Sequence, residues 1–352
     1  MTGGSRLMAP VQLEDVAASL LAKIGKKGNF NIYQLAGGAN NKVFRVDSEN
    51  SKFLLKEYFW DANDPRDRLK TEYSFCEFAW DKGIRSLPQP FVCDKDNNMA
   101  LYEFVEGRHL EVKEIKEQFV TTALGLYSEL NKWKKSIEAG KLPYASEACF
   151  SINDHLECVN NRIERLKSIE VSSSIDNDAS DFINNKLAEV WKDVVFCIKK
   201  RFLKLDIDLD AAISESDRCL SPSDFGFHNA LLSADGGIRF IDFEYAGWDD
   251  PAKMVCDFFC QPKVPVPMVY YDMVVNAVVD NLTEPKFYAD RMASLLPVYQ
   301  IKWCCILLND FQPVGSRRRD FSKGLINKDK QKSEQLNKAR IALKNASELN
   351  AN

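Results

Sequence analysis

The sequence predicts an α+β protein built as two unequal lobes, a small β-rich one followed by a larger, mostly helical one. Three observations carry this expectation. Short apolar runs broken by glycine, proline and Asp/Asn crowd the stretch from Ile32 to Phe104, whereas helical spacing dominates after His109. The helical part is interrupted once, by a hairpin pattern within Ala230 to Phe243. At 352 residues the chain is long enough for two compact units. The division is placed after Phe104, giving a first lobe of residues 1–104 and a second of residues 105–352.

In chain order, Val11 to Ile24 has apolar residues at helical spacing and opens the chain as a helix. Strands are expected at Ile32 to Leu35, Lys42 to Val46 and Lys52 to Tyr58, the first two separated by the turn Gly37-Gly38-Ala39-Asn40-Asn41. Arg66 to Lys82 places Leu69, Phe75, Phe78 and Ala79 on one helical face. Two further strands bracket Asp94 to Asn98, and the second, Met99 to Phe104, runs into a hinge at Val105-Glu106-Gly107. Beyond it, helices are expected at Glu114 to Lys135, Ile152 to Ser168 and Asp181 to Leu205, with the Ser-rich Val171 to Ser180 as a flexible connection. Helices resume at Met268 and continue to the end.

Composition narrows the function. Hydrophobic residues at 45% and charged residues at 28% belong to a globular chain. With 47 basic against 51 acidic side chains, net −4, the balance excludes a general nucleic-acid binder, which needs a basic excess to neutralise phosphates. Met1 to Gln12 lacks the apolar core of a signal peptide, so the expected address is cytoplasmic. The most apolar stretch, Val264 to Leu282, is broken by Asp272 and Asp280, so no stable membrane association is expected. Ten cysteines without a CxxC pair read as buried reduced thiols, and His109, His155 and His228 show no metal-ligand spacing with them. Arg317 to Lys344 carries ten basic against three acidic residues; it reads as a solvated helical face on an apolar side of Leu336, Ala339, Leu343 and Ala346, or as a guide for an anionic acceptor.

The densest chemical signal is Ser221-Pro-Ser-Asp224-Phe-Gly-Phe-His228-Asn229 followed by Ile241-Asp242-Phe-Glu244-Tyr245. A hairpin turning through Asp235-Gly236-Gly237 returns Asp242 to the mouth where Asn229 sits. One amide oxygen and one carboxylate there suit a hard cation such as Mg²⁺ that shares its shell with phosphates. Asp224, on the loop entering the same mouth, can accept a proton from a hydroxyl held there. In the first lobe, Lys56 lies in the apolar run Phe53-Leu54-Leu55, a costly place for an ammonium unless it is paired or faces an anion, and Glu72 on the next helix is its natural partner. The bland alternatives are an edge-strand lysine reaching water, a surface hairpin and an ordinary turn at Gly37-Gly38.

Together the glycine turn, the strand lysine with its helix glutamate, D-x-x-x-x-N and I-D-F-E resemble the aminoglycoside phosphotransferase and choline kinase family, small-molecule relatives of the protein kinases. The resemblance covers roughly Leu35 to Phe259. It implies the bilobal protein-kinase-like fold, ATP and Mg²⁺ as cofactors, and transfer of the γ-phosphoryl to a hydroxyl of a small metabolite such as an amino alcohol, a sugar or an aminoglycoside. Residue by residue, it makes Asp224 the catalytic group and Asn229 and Asp242 the metal ligands. Lys56, held by Glu72, binds the α- and β-phosphates; Gly37, Gly38, Asn40 and Asn41 cover them; Glu103 and Val105 offer backbone groups to the base. His228, Glu244, Trp248 and Asp249 are the acceptor-side candidates, against a packing role for Trp248 and a capping role for Asp249 or Asp250. The family often has a histidine two residues before the catalytic aspartate, where this chain has Pro222. The alternative is a non-catalytic nucleotide-binding or scaffold protein of the same fold.

Overall fold

A computed structural model describes residues 10–35, 40–49, 51–312 and 328–351. The expectations for Gly37 and Gly38, and for the basic residues Arg317 to Lys323, lie outside the described residues.

The expected α+β division is present. The first lobe is an antiparallel sheet in the order β1-β2-β3-β5-β4, formed by β1 (Phe30–Gln34), β2 (Lys42–Ser48), β3 (Ser51–Glu57), β4 (Pro90–Asp94) and β5 (Met99–Glu103). Helix α1 (Pro10–Lys23) covers one face, packing Val16, Leu20 and Leu21 on Phe44, Val46, Phe53, Leu55, Met99 and Leu101. The two-residue period of a strand then turns Leu54 and Lys56 to the opposite face. That face meets α2 (Arg68–Asp81), whose first turn is fixed by Asp67 accepting the Lys70 N–H at 2.9 Å. Leu69, Phe75, Cys76 and Phe78 of α2 belong to the larger core, which continues without a break into the second lobe.

After the link at 104–107 the chain makes two small β elements that the sequence reading missed in part. In one, β6 (Arg108–His109) pairs with β8 (Ala230–Leu232), which pairs with β9 (Ile238–Phe240). In the other, β7 (Cys219–Ser221) pairs with β10 (Gly247–Asp249). Three-residue strands are too short for an alternation pattern to register. A Cβ on Gly247 would stand 2.3 Å from the Pro143 carbonyl oxygen, so only glycine lets β10 approach the 143–145 segment. The helices are α3 (Glu117–Lys132), α4 (Ile152–Lys167), α5 (Ser174–Asp181), α6 (Ala188–Lys204), α7 (Pro251–Cys260), α8 (Tyr271–Val279), α9 (Pro285–Leu307) and α10 (Lys328–Ala351).

Three expectations are corrected. The Ser-rich connection is helix α5 over most of its length, joined to α6 by a widened helical turn at Phe182–Leu187. Its composition looked flexible, but Asp176 gathers Ser172 Oγ and Ser173 Oγ, each at 2.9 Å, and Lys332 of α10 at 2.7 Å. Part of the basic tail is therefore an internal clasp: Lys332 pairs with Asp176 and Arg340 with Asp178, over a seam of buried Leu336, Ala339, Leu343 and Ala346. The cysteines are also not all buried, since Cys197 is exposed and Cys93 and Cys158 are half-buried. Among the described residues, the one helix long and apolar enough to cross a membrane is Pro285–Phe311 rather than the stretch before it, and 72% of its apolar window is buried inside the protein, as in a core helix.

Candidate active site

The hairpin delivers its residues with a one-residue offset from expectation. Ala230 pairs with Phe240, and the Ile241 N–H donates to the Asn229 carbonyl at 2.8 Å, so Asn229 faces Ile241. Asp242 follows at φ +71°, a left-handed backbone that a non-glycine residue adopts only where its surroundings hold it. Its carboxylate is held by the other lobe: Lys56 Nζ donates to Asp242 Oδ1 at 2.8 Å. Sequence separation of 186 residues is closed by one ammonium.

Lys56 is 6% exposed and also donates to both oxygens of Glu72, at 2.9 and 2.7 Å. Glu72 accepts two more bonds, from Tyr58 Oη at 2.9 Å and from the Phe243 N–H at 3.3 Å. Burial alone would strip the proton from Lys56, but the carboxylates of Asp242, Glu72 and Glu244 outweigh it and raise its pKa, so it stays an ammonium. Burial pushes the Glu72 carboxyl up, with Lys56 opposing. A buried cation shared by two acids is a ready counter-ion for phosphate oxygens, because an arriving anion takes over contacts that Asp242 now makes.

Asp224 sits on the loop after β7, where Ser223 takes φ +64° and donates its N–H to Ser221 Oγ at 3.0 Å. Asn229 Nδ2 donates to the Asp224 carbonyl at 3.0 Å and to its Oδ2 at 3.2 Å, which turns the Asn229 amide oxygen away from Asp224. His228 Nε2 lies 3.1 Å from Asp224 Oδ1. Burial raises the Asp224 carboxyl, yet the imidazole and the Asn229 amide more than offset it, with a smaller contribution from Lys302, and the net pKa is lowered. The side chain keeps 28% exposure, so the carboxylate is both ionised and reachable. Gly226 guards this geometry: a Cβ there would stand 2.8 Å from His228 Nδ1.

The end of the β1–β2 turn is tied to the segment that follows Asp242. Asn40 Nδ2 donates to Glu244 Oε1 and to Tyr245 Oη, and Asn41 Nδ2 donates to Glu244 Oε2 at 2.7 Å while its Oδ1 accepts the Phe59 N–H. Arg68 of α2 stands 3.6 Å from the same carboxylate. Glu244 is thus an inter-lobe tie, 2% exposed. Asp249 is closed off at 0% exposure, ion-paired to Lys253, and the Trp248 indole N–H donates to the Ala139 carbonyl at 2.9 Å. Of the acceptor-side candidates the structure sets only His228 against Asp224. Asp250, not Asp249, caps α7, accepting the Ala252 N–H at 2.7 Å. At the hinge, the Glu103 side chain pairs with Arg239 of β9 at 2.7 Å and its N–H donates to the Gln89 carbonyl; Val105 is half-buried in the link that follows.

Among the described residues no group of three or more His, Cys, Asp or Glu forms a metal cage. Mg²⁺ characteristically takes one or two protein carboxylates and completes its octahedron with phosphate oxygens and water. The freed amide oxygen of Asn229 and the Asp242 carboxylate are donors of the right chemistry for it. Sequence reading missed Tyr58 as a ligand of Glu72, the His228–Asp224 contact, and the buried set of His155, Asp250 and Arg291 beneath α7. A four-residue spacing between Asp224 and His228 was the one available signal for the second.

The model of the phosphotransferase enzyme family matches residues 31–265. No curated protein sequence matches the chain. Among solved structures, it is similar to a spectinomycin phosphotransferase in complex with ADP and spectinomycin, with 12% identity over 98% of this chain and 100% of that one and a TM-score of 0.61. It is also similar to a choline kinase from Streptococcus pneumoniae (15% identity, 95% and 99% covered, TM-score 0.57) and an ethanolamine kinase from Plasmodium vivax (15%, 96% and 95%, 0.57). Identities this low establish the shared kinase-like fold and leave the acceptor open. With two thirds of its length under the family model and the kinase-like fold throughout, the chain belongs to the phosphotransferase enzyme family and transfers a phosphoryl group to a hydroxyl acceptor.

Proposed function

We propose that the protein transfers the γ-phosphoryl of ATP to a hydroxyl of a small metabolite in a Mg²⁺-dependent reaction, with the nucleotide between lobes divided near residue 104. The observation that carries this reading is a pair of hydrogen-bonded groups, Lys56–Glu72–Asp242 across the two lobes and Asn229–Asp224, joined through the hairpin where the Ile241 N–H donates to the Asn229 carbonyl. A non-catalytic scaffold has no chemical need for an ionised, reachable Asp224 beside an Asn–Asp pair.

Lys56 would neutralise the α- and β-phosphates while Glu72 holds it in place, and Gly37 to Asn41 would cover them. Asn229 and Asp242 would hold the Mg²⁺, which supplies charge neutralisation across the phosphates. Asp224, with its pKa lowered, orients the acceptor hydroxyl and takes its proton late, as the bond to phosphorus forms. His228 fixes the carboxylate that does so. Glu103 and Val105 would offer backbone groups to the base. A hollow of about 290 Å³ bordered by Arg66, Lys70, Tyr144, Ser146, Glu244 and Tyr245 adjoins the segment after Asp242 and is available to an acceptor of the size of an amino alcohol or a sugar.

The test is an untargeted screen of a metabolite extract with the protein and Mg·ATP for new phosphomonoesters, run beside Asp224→Ala. New products from wild type alone support the reading, and the same products at the same rate from both proteins reject it.

A further inference from the structure

We propose that Trp303 of α9 is a positioning residue for Asp224, acting through His228: its indole is the wall that keeps the imidazole turned toward the carboxylate. The role rests on the proposed function of Asp224 as the group that orients the acceptor hydroxyl. His228 is 8% exposed, and its Nε2 lies 3.1 Å from Asp224 Oδ1. Because a carboxylate only accepts, the proton of that bond is on Nε2. The other ring nitrogen, Nδ1, is buried and has no hydrogen-bond partner among the described residues. A ring held at one corner can swing about that corner, and the bond weakens steeply as it leaves line. Packing must therefore set the plane of the imidazole.

Two surfaces do so. One is the Gly226 backbone, so near that a Cβ on it would stand 2.8 Å from Nδ1 and 3.1 Å from Cε1. The other is the Trp303 indole, whose ring centre lies 6.2 Å from that of the imidazole with the two planes at 86°. This is the T-shaped contact that aromatic rings favour, and it fixes a direction as well as a distance.

The indole is itself held. Its N–H donates to Asp257 Oδ1 at 2.9 Å. Asp257, on α7 and 3% exposed, also accepts Lys302 Nζ at 3.0 and 2.7 Å, and Lys253 stands 4.0 Å from the same carboxylate. Tryptophan has two rotatable side-chain bonds, so a helix backbone at one end and a hydrogen bond at the other leave it little freedom. A buried ion pair is weak ground for stability, since apolar residues of like volume often serve as well. Direction is what this one adds: Asp257 aims the indole, the indole stops the imidazole, and the imidazole holds Asp224 Oδ1.

The experiment uses the full chain and two readouts, one of which needs no acceptor. The chain has three histidines, so ring-¹⁵N histidine labelling gives separable imidazole N–H signals by NMR, and the His228 signal is the one absent from His228→Asn. In Trp303→Leu the His228 signal should be lost to exchange with water. That of His155, which packs on Tyr299 of the same helix α9, should stay. With the acceptor found in the phosphomonoester screen, kcat of Trp303→Leu should fall about tenfold and the KM for ATP should stay within about twofold. Trp303→Phe keeps a ring beside the imidazole and should retain kcat within about threefold of wild type. In the His228→Asn background, Trp303→Leu should lower kcat by less than about a further twofold, because the wall has nothing left to hold. An unchanged His228 signal, equal loss of the His155 signal, or kcat losses that multiply in the double variant overturn the proposal. A lost His228 signal with wild-type kcat upholds the contact and rejects instead the role given to Asp224 in transfer.

Discussion

Replacing Glu72 by glutamine keeps the shape of the side chain and removes its charge, which isolates the ion pair from the packing. The carboxylate accepts four bonds, two from Lys56 at 2.7 and 2.9 Å and one each from Tyr58 and the Phe243 N–H. Glutamine has one acceptor oxygen, and its amide N–H₂ must then confront Lys56 together with either the Tyr58 hydroxyl or the Phe243 N–H, since Lys56 bonds both oxygens, Tyr58 bonds Oε2 and Phe243 bonds Oε1. Both partners are buried, with side chains 7% and 5% exposed, so water cannot rescue the unmatched groups. Breaking a buried pair costs about 3–5 kcal/mol, and because Lys56 keeps Asp242 at 2.8 Å the loss should be near the lower end, about 3 kcal/mol. Urea unfolding measures this directly. The freed ammonium should also turn further onto Asp242, so calorimetric Mg·ATP affinity should fall about tenfold. A Glu72→Gln protein that unfolds at the wild-type midpoint and binds Mg·ATP as tightly would refute the claim that Glu72 positions Lys56.

Gly226→Ala should leave Mg·ATP affinity unchanged and slow transfer by at least about tenfold, because its Cβ displaces the His228 ring from Asp224; steady-state kcat and nucleotide titration separate the two. Asp224 has a lowered folded pKa, so its carboxylate is fully formed above the ordinary range near about pH 4 and is lost only as pH falls through the lower folded value. The acid limb of the kcat profile owed to Asp224 should therefore lie below about pH 4, and in His228→Asn, which removes the largest favourable influence on it, the limb should move up. Arg291→Met leaves Asp250 buried at 0% exposure without its arginine, held by His155 and the Ala252 N–H, and should cost about 3–5 kcal/mol in urea unfolding.

The fold was legible where elements are long. Hydrophobic periodicity places α1, α2, α4 and the five-stranded sheet within a residue or two, because burial of one face leaves a repeating trace in the chain. It fails for β6, β7 and β10, two or three residues each, whose existence depends on partners over twenty residues away. It also fails at α5, where serine composition suggested looseness and capping by Ser173 with a clasp to Lys332 decided otherwise. At the site, Lys56 and Glu72 were legible because a charge in an apolar strand demands an explanation. The offset of the hairpin was not, since the left-handed turn at Asp242 leaves no mark on residue type. Neither was the burial of Asp249, which depends on Lys253 and the Cys149 segment of its own lobe, or the tie from Asn40 and Asn41 to Glu244, which depends on what the other lobe brings.

The central claim is a division of labour on one nucleotide: Asp242 belongs to the Mg²⁺–phosphate complex and Asp224 to the acceptor. Calorimetric titration of ATP with and without Mg²⁺ into Asp224→Ala and Asp242→Ala tests it most directly. The account predicts that Asp224→Ala binds Mg·ATP like wild type, whereas Asp242→Ala loses the Mg²⁺-dependent part of the affinity. Equal loss in both variants, or Mg²⁺-dependent binding intact in Asp242→Ala, would contradict it.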